Sequence, residues 1–174
     1  MCASVVTRAL AIEGVEHVMW LARDIHEAPS EAVLCSTGKS ELRFCPGGPL
    51  RDDRGESWSV EGALEVIDAT VQDGRFSSPA YPDALARVWS ALTCPTAGEI
   101  ALSAAPHYEF IDWGRQAHVG GGSHGSLNRC DSLAPLLSCG LAGPLPERSQ
   151  WAIRDVASLV LAHFGLSDGA AAAA

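Results

Sequence analysis

His118-Val119-Gly120-Gly121-Gly122-Ser123-His124-Gly125-Ser126 is the stretch on which the reading of this chain turns. Four of its nine residues are glycine, which lets a backbone enter left-handed conformations and approach a ligand closely. It also carries two histidines, and a neutral imidazole is a ready nitrogen ligand. On the residues alone two readings stand side by side. One is a ligand loop. The other is a tight surface loop whose histidines bond to the backbone, since glycine marks plain turns as often as sites.

Working outward, residues 104–131 as a whole are rich in Gly, His, Asp and Asn, the composition of a functional loop. Glu99 to Ser103 before it reads as a strand. Leu133 to Cys139 after it is apolar and reads as a buried strand, with Pro135 at a bulge or an edge. A final helix follows. Ser149 is its expected cap, Ile153, Val156, Ala157, Val160, Leu161 and Phe164 its apolar stripe, and Gly165 its stop. The run Ala170 to Ala174 is expected to fray.

Upstream, Tyr81-Pro82-Asp83 opens a helix with Leu85, Val88, Trp89 and Leu92 on one face, and Cys94-Pro95 ends it. Residues 3–12 read as a short helix, with Gly14 as its C-terminal glycine. Val15 to Leu21 and Ala32 to Ser36 are strand candidates. Glu41 to Cys45 follows the Gly38-Lys39 turn as the second arm of a hairpin. Residues 46–57 read as loop, and 58–79 are ambiguous apart from an Asp73-Gly74 turn. Helices and strands alternate irregularly, so the class is α/β.

Composition narrows the function. The chain has 174 residues, 47% of them hydrophobic and 19% charged, which suits one globular domain with a core. A formal charge of -9 with only 12 Lys and Arg argues against a nucleic-acid surface. A small anionic substrate remains compatible, because a bound metal reverses the local field. The six cysteines, Cys2, Cys35, Cys45, Cys94, Cys130 and Cys139, form no C-x-x-C pair, and buried free thiols are the expectation. There is no basic start with a long apolar run and no membrane-length apolar stretch. The expected location is the cytoplasm.

Gly122-Ser123-His124-Gly125-Ser126, followed by Asp131 and then Pro135-Leu136-Leu137, resembles the last metal-ligand motif of the alkaline phosphatase superfamily. The nearest branch is that of type I phosphodiesterases and nucleotide pyrophosphatases. The resemblance runs from about Tyr81 to Gly165. It implies a partial alkaline-phosphatase-like sheet with flanking helices over residues 80–168. A small α+β insertion or cap occupies residues 1–79, and a frayed tail residues 169–174. It also implies that His124 binds one of two zinc ions in a phosphate-ester hydrolase. In that chemistry one zinc activates a hydroxyl nucleophile, and the other stabilises the leaving oxygen and later activates water.

Such a site needs about six Asp and His ligands, since each zinc wants three or four. This chain has no Asp-His-Gly and no Asp-x-x-x-His pair ahead of the motif. In the family those elements, with the nucleophile, lie upstream. Only His124 is therefore carried over as a ligand, and the chain is expected to be the C-terminal portion of such a hydrolase, inactive alone.

Around His124, His118 is a site-lining or second-shell candidate. Asp131 either orients His124 through its other ring nitrogen or serves as a turn aspartate. Asn128 either donates to a phosphate oxygen or makes a turn. Asp112-Trp113-Gly114 reads as a turn with a packed indole, His17 as a core or interface histidine and His163 as a helix-end charge. His26 and His107 read as solvated. Cys130 lacks the third group that a Cys–His nucleophile needs.

The alternatives are a non-catalytic remnant or interaction domain of the same fold, and an unrelated α/β module whose glycine loop cradles an anion. The expected partners are a phosphate-ester small molecule and a complementary chain or a second copy, with neither nucleic acid nor membrane.

Overall fold

Val15–Arg23 (β1) alternates side chains to opposite faces, and both faces are covered. Val18 and Trp20 point one way, toward Ala9 of the helix Ala3–Leu10 (α1). Met19 points the other way, into the main core. The computed structural model describes residues 3–23, 31–111, 125–148 and 150–166. The chain divides into two compact units, Met1–Leu133 and Ala134–Ala174.

The first unit is built on a mixed seven-stranded sheet. After β1 come Glu31–Ser36 (β2), Glu41–Arg51 (β3), Ser57–Gly62 (β4), Thr70–Gln72 (β5), Arg75–Ser77 (β6) and Ile100–Ala104 (β7). The strand order is β5-β6-β3-β2-β1-β7, and β4 also pairs with β3. All pairings are antiparallel except β3 with β6. The helix Ala84–Thr93 (α2) buries Leu85, Val88 and Leu92 against Met19, Val33, Leu42, Phe44 and Trp58. The 3₁₀ turn Leu64–Ile67 adds Val66 and Ile67 to that core. The strands expected at Val15 to Leu21, Ala32 to Ser36, Glu41 to Cys45 and Glu99 to Ser103 and the Gly38-Lys39 hairpin are present, with Thr37 N–H closing on Ser40 O at 3.2 Å.

Three expectations fail for physical reasons. Residues 46–57 are not loop throughout, because β3 continues to Arg51. Pro46 and Leu50 both pair with Trp58, and the intervening Gly47-Gly48-Pro49 is absorbed as a bulge, which tolerates proline inside a sheet. Only the turn at Asp52 to Glu56 remains irregular. It is closed by the Asp52 carboxylate, which accepts from Arg54 N–H, Glu56 N–H and Trp58 Nε1–H at 2.8–2.9 Å.

Leu133 to Cys139 is not a buried strand. It has no ladder partner among the described residues, and Leu137 is 89% exposed. The five described cysteines are free, but only Cys35 among them is buried; Cys94, Cys130 and Cys139 lie exposed in surface segments. Burial beside Glu16 and Glu41 pushes the Cys35 thiol up to about 12.

The second unit holds the helix Asp155–His163 (α4). Gly165 ends it as expected: with φ of 68°, its N–H reaches Ala162 O and Leu166 N–H reaches Leu161 O, the paired closure of a left-handed cap. Ser149, the expected cap, lies outside the described residues, and the helix starts later than expected, at Asp155 with Arg154 in the cap position. At the start of α4, Asp155 accepts from Ala152 N–H at 2.7 Å and pairs with Arg148 at 3.1 Å. Among the described residues no helix is long and apolar enough to cross a membrane.

Gly62 ends β4 with φ of 99°, and a Cβ there would lie 2.5 Å from the Glu41 carbonyl oxygen. Gly62→Ala is expected to lower the unfolding free energy by about 2 kcal/mol or more, measured by denaturant titration. An unchanged midpoint would contradict the described β3–β4 closure.

Candidate functional site

The segment that follows the glycine motif is fastened to the sheet and to α2. Ser126 and Leu127 are buried. Leu127 N–H donates to Ser103 Oγ of β7 at 3.0 Å, and the Leu127 side chain joins the core. Arg129 N–H donates to Ala80 O at 2.8 Å.

Arg87 of α2 supplies the other fastening. Its Nη1 donates to Leu127 O at 3.2 Å, Pro82 O at 3.2 Å and Ser132 Oγ at 2.8 Å, and its Nη2 donates to Ser126 O at 2.9 Å. A planar guanidinium suits such a divergent set of acceptors, which an ammonium could not span. Burial weakens its hold on its proton, and the Asp83 carboxylate counters that. Ser132 Oγ completes the knot, lying 2.7 Å from Asn128 O.

A second polar cluster lies on the same side of the sheet. The register of β1 against β7 shifts between Val15 and His17, so that Glu16 is the extra residue of a bulge. Bulges re-aim side chains. Here Glu16 Oε1 accepts from Tyr81 O–H at 2.8 Å. His17, fully buried, stands across the ladder from Ser103 and puts Nε2 2.7 Å from Val66 O. Its ring meets Tyr81 edge-on at 5.1 Å. Burial raises the Tyr81 phenol above its ordinary range, and the bond to Glu16 raises it further.

Of the residues expected from the sequence, His118 and His124 lie outside the described residues, as do His26 and Asp112-Trp113-Gly114. Asn128 makes a turn: it caps the short helix Arg129–Ser132 (α3), its Oδ1 accepting from Cys130 N–H at 2.9 Å. Asp131 stands half-buried in the first turn of α3. His107 is exposed with φ of 72°. His163 lies in the last turn of α4 against Phe164. Among the described residues no three His, Cys, Asp or Glu side chains come together as a metal ligand set.

The sequence reading missed Arg87, Ser103, Glu16 and Tyr81. Arg87 lies two residues after Leu85 on a helix read for its apolar face, and Ser103 ends an apolar strand, so neither announced a polar task. Glu16 beside His17 was the one visible signal, two ionisable residues at the head of an apolar strand. No protein-family model, no curated protein and no solved structure matches this chain.

Arg87→Lys is expected to destabilise the first unit by about 1–3 kcal/mol, because the carbonyls at Ser126 and Leu127 lose the guanidinium and keep only the Ser132 hydroxyl. Denaturant unfolding of the two proteins measures it. A change within ~0.5 kcal/mol, typical of a neutral surface substitution, would contradict the fastening.

Proposed function

We propose that this chain is the C-terminal portion of a metal-dependent phosphoric ester hydrolase similar to type I phosphodiesterases and nucleotide pyrophosphatases, and that it contributes His124 as one zinc ligand. The fold proposed with it is a partial alkaline-phosphatase-like sheet with a small α+β insertion. One observation carries the reading. The backbone directly after Gly122-Ser123-His124-Gly125 is held at Ser126, Leu127 and Arg129 by α2, by β7 and by the turn at Ala80. A ligand loop needs a rigid footing, since supporting hydrogen bonds orient a metal's ligands and tune its affinity.

The described residues by themselves do not fit a zinc site, having no set of three ligand side chains. No hydrolytic step is therefore derived through the metal. The two-metal reading requires further Asp and His ligands and a hydroxyl nucleophile from outside those residues. The substrate class in this reading is a phosphate ester, and the cofactor is zinc.

A second reading is a non-catalytic interaction domain. It draws on the apolar side chains exposed in the second unit, with Ile153 89% and Phe164 69% exposed, since apolar surface of this kind often marks a contact.

Titration calorimetry with zinc on the purified chain, with His124→Ala beside it, separates the two. A zinc site that this chain completes, as through a second copy, predicts zinc binding that His124→Ala abolishes. Binding unchanged in His124→Ala would overturn the ligand role of His124, and absence of binding would mark the chain as an incomplete piece of the parent fold or leave the interaction reading.

A further inference from the structure

Glu16 and His17 present an unbalanced account of hydrogen atoms. Nε2 of His17 lies 2.7 Å from Val66 O. A carbonyl oxygen only accepts, so Nε2 must carry a hydrogen. In a neutral ring Nδ1 would then be a bare acceptor. It sits 3.5 Å from Glu16 Oε2, and an ionised carboxylate also only accepts. Both atoms are shut away from solvent, and neither has a hydrogen-bond partner among the described residues. Two bare acceptors facing each other in a buried place repel and leave both desolvated, which is unfavourable for each unsatisfied group.

We infer that His17 carries a second proton, on Nδ1 facing Glu16 Oε2, so that the two form a buried imidazolium–carboxylate pair which positions the segment after the glycine motif. The proton is taken from solvent as the chain folds, and no bond other than N–H is made. The proton is placed on nitrogen because the other oxygen of the same carboxylate already accepts from Tyr81 O–H, the role of a carboxylate that acts as acceptor at both oxygens.

The remaining titratable groups around the cluster are Tyr81 itself, Asp68 after the 3₁₀ turn and Cys35 of β2. None offers a competing cation.

The pair ties three elements. Through His17 it holds β1 to the 3₁₀ turn at Val66. Through Glu16 it holds β1 to Tyr81. Tyr81 adjoins Ala80, whose carbonyl receives Arg129 N–H, and His17 lies across the ladder from Ser103, which receives Leu127 N–H. The Ser103 and Ala80 footings of the motif segment thus adjoin the pair, while the Arg87 footing stands apart from it. Glu16 and His17 are positioning residues in this account, and the inference holds whether or not the chain binds zinc.

The test is the ring ¹⁵N spectrum of the full chain, with His17 assigned by its loss in His17→Gln. The expected spectrum has both ring nitrogens of the protonated type. In Glu16→Gln the Nδ1 resonance is expected to move to the unprotonated type while Nε2 keeps its hydrogen, a signature that a purely space-filling role for Glu16 would not produce. An unprotonated Nδ1 in the wild-type chain would overturn the inference, and so would a coordinated-nitrogen resonance that EDTA abolishes. Should Glu16→Gln fail to fold, the wild-type spectrum decides alone.

Discussion

The guanidinium of Arg87 is the constraint on which the arrangement around the motif depends. One planar group on α2 meets backbone oxygens at Pro82, Ser126 and Leu127 and the hydroxyl of Ser132. Without it, the carbonyls of Ser126 and Leu127 would depend on the single hydroxyl of Ser132, and irregular backbone is buried only when its polar groups are satisfied. Leu127 follows from this. Its side chain enters the core between sheet and helix because its own N–H and C=O are taken up by Ser103 and Arg87. Hydrophobic burial and polar fastening act here as one device.

The sheet beneath is ordered around β1, which has a hydrophobic layer on each face. α1 covers one layer; α2 and the 3₁₀ turn cover the other. A strand buried on both sides gives a rigid base, and the bulge at Glu16 interrupts it where polar groups are gathered. Glu16, His17, Tyr81 and Ser103 would each be costly in that position alone. They are tolerated because Tyr81 bonds Glu16, His17 Nε2 meets Val66 O, and Ser103 accepts from Leu127 N–H on the motif's flank.

Much of the fold was legible in the residues. The alternation in Val15 to Leu21 and Ala32 to Ser36, the Gly38-Lys39 turn and the apolar face of α2 report local periodicity, and the structure follows them. Pro46-Gly47-Gly48-Pro49 misled, because a bulge can absorb residues that ordinarily end a strand, and only the partner Trp58 reveals it. Leu133 to Cys139 misled in the opposite sense, since an apolar run does not say whether anything covers it. Ile153, Val160 and Phe164, read as part of the apolar stripe of the last helix, are exposed, and of the three only Val160 lies within α4. Of the candidate site, the turn role of Asn128 was among the readings taken from the sequence. The roles of Arg87 and Ser103 were not, because a contact such as Leu127 to Ser103 spans 24 positions and leaves no local trace.

The central claim is that the segment after Gly122-Ser123-His124-Gly125 is an integral part of the sheet–helix unit and not a surface loop. Native-state hydrogen exchange of individual amides tests it most directly, because exchange separates amides that open only with the whole unit from those that fray locally. The account predicts that the Leu127 and Arg129 amides exchange as slowly as those of β1 and β7. Exchange of these two amides at the rate of a fraying loop, with the sheet still protected, would contradict it.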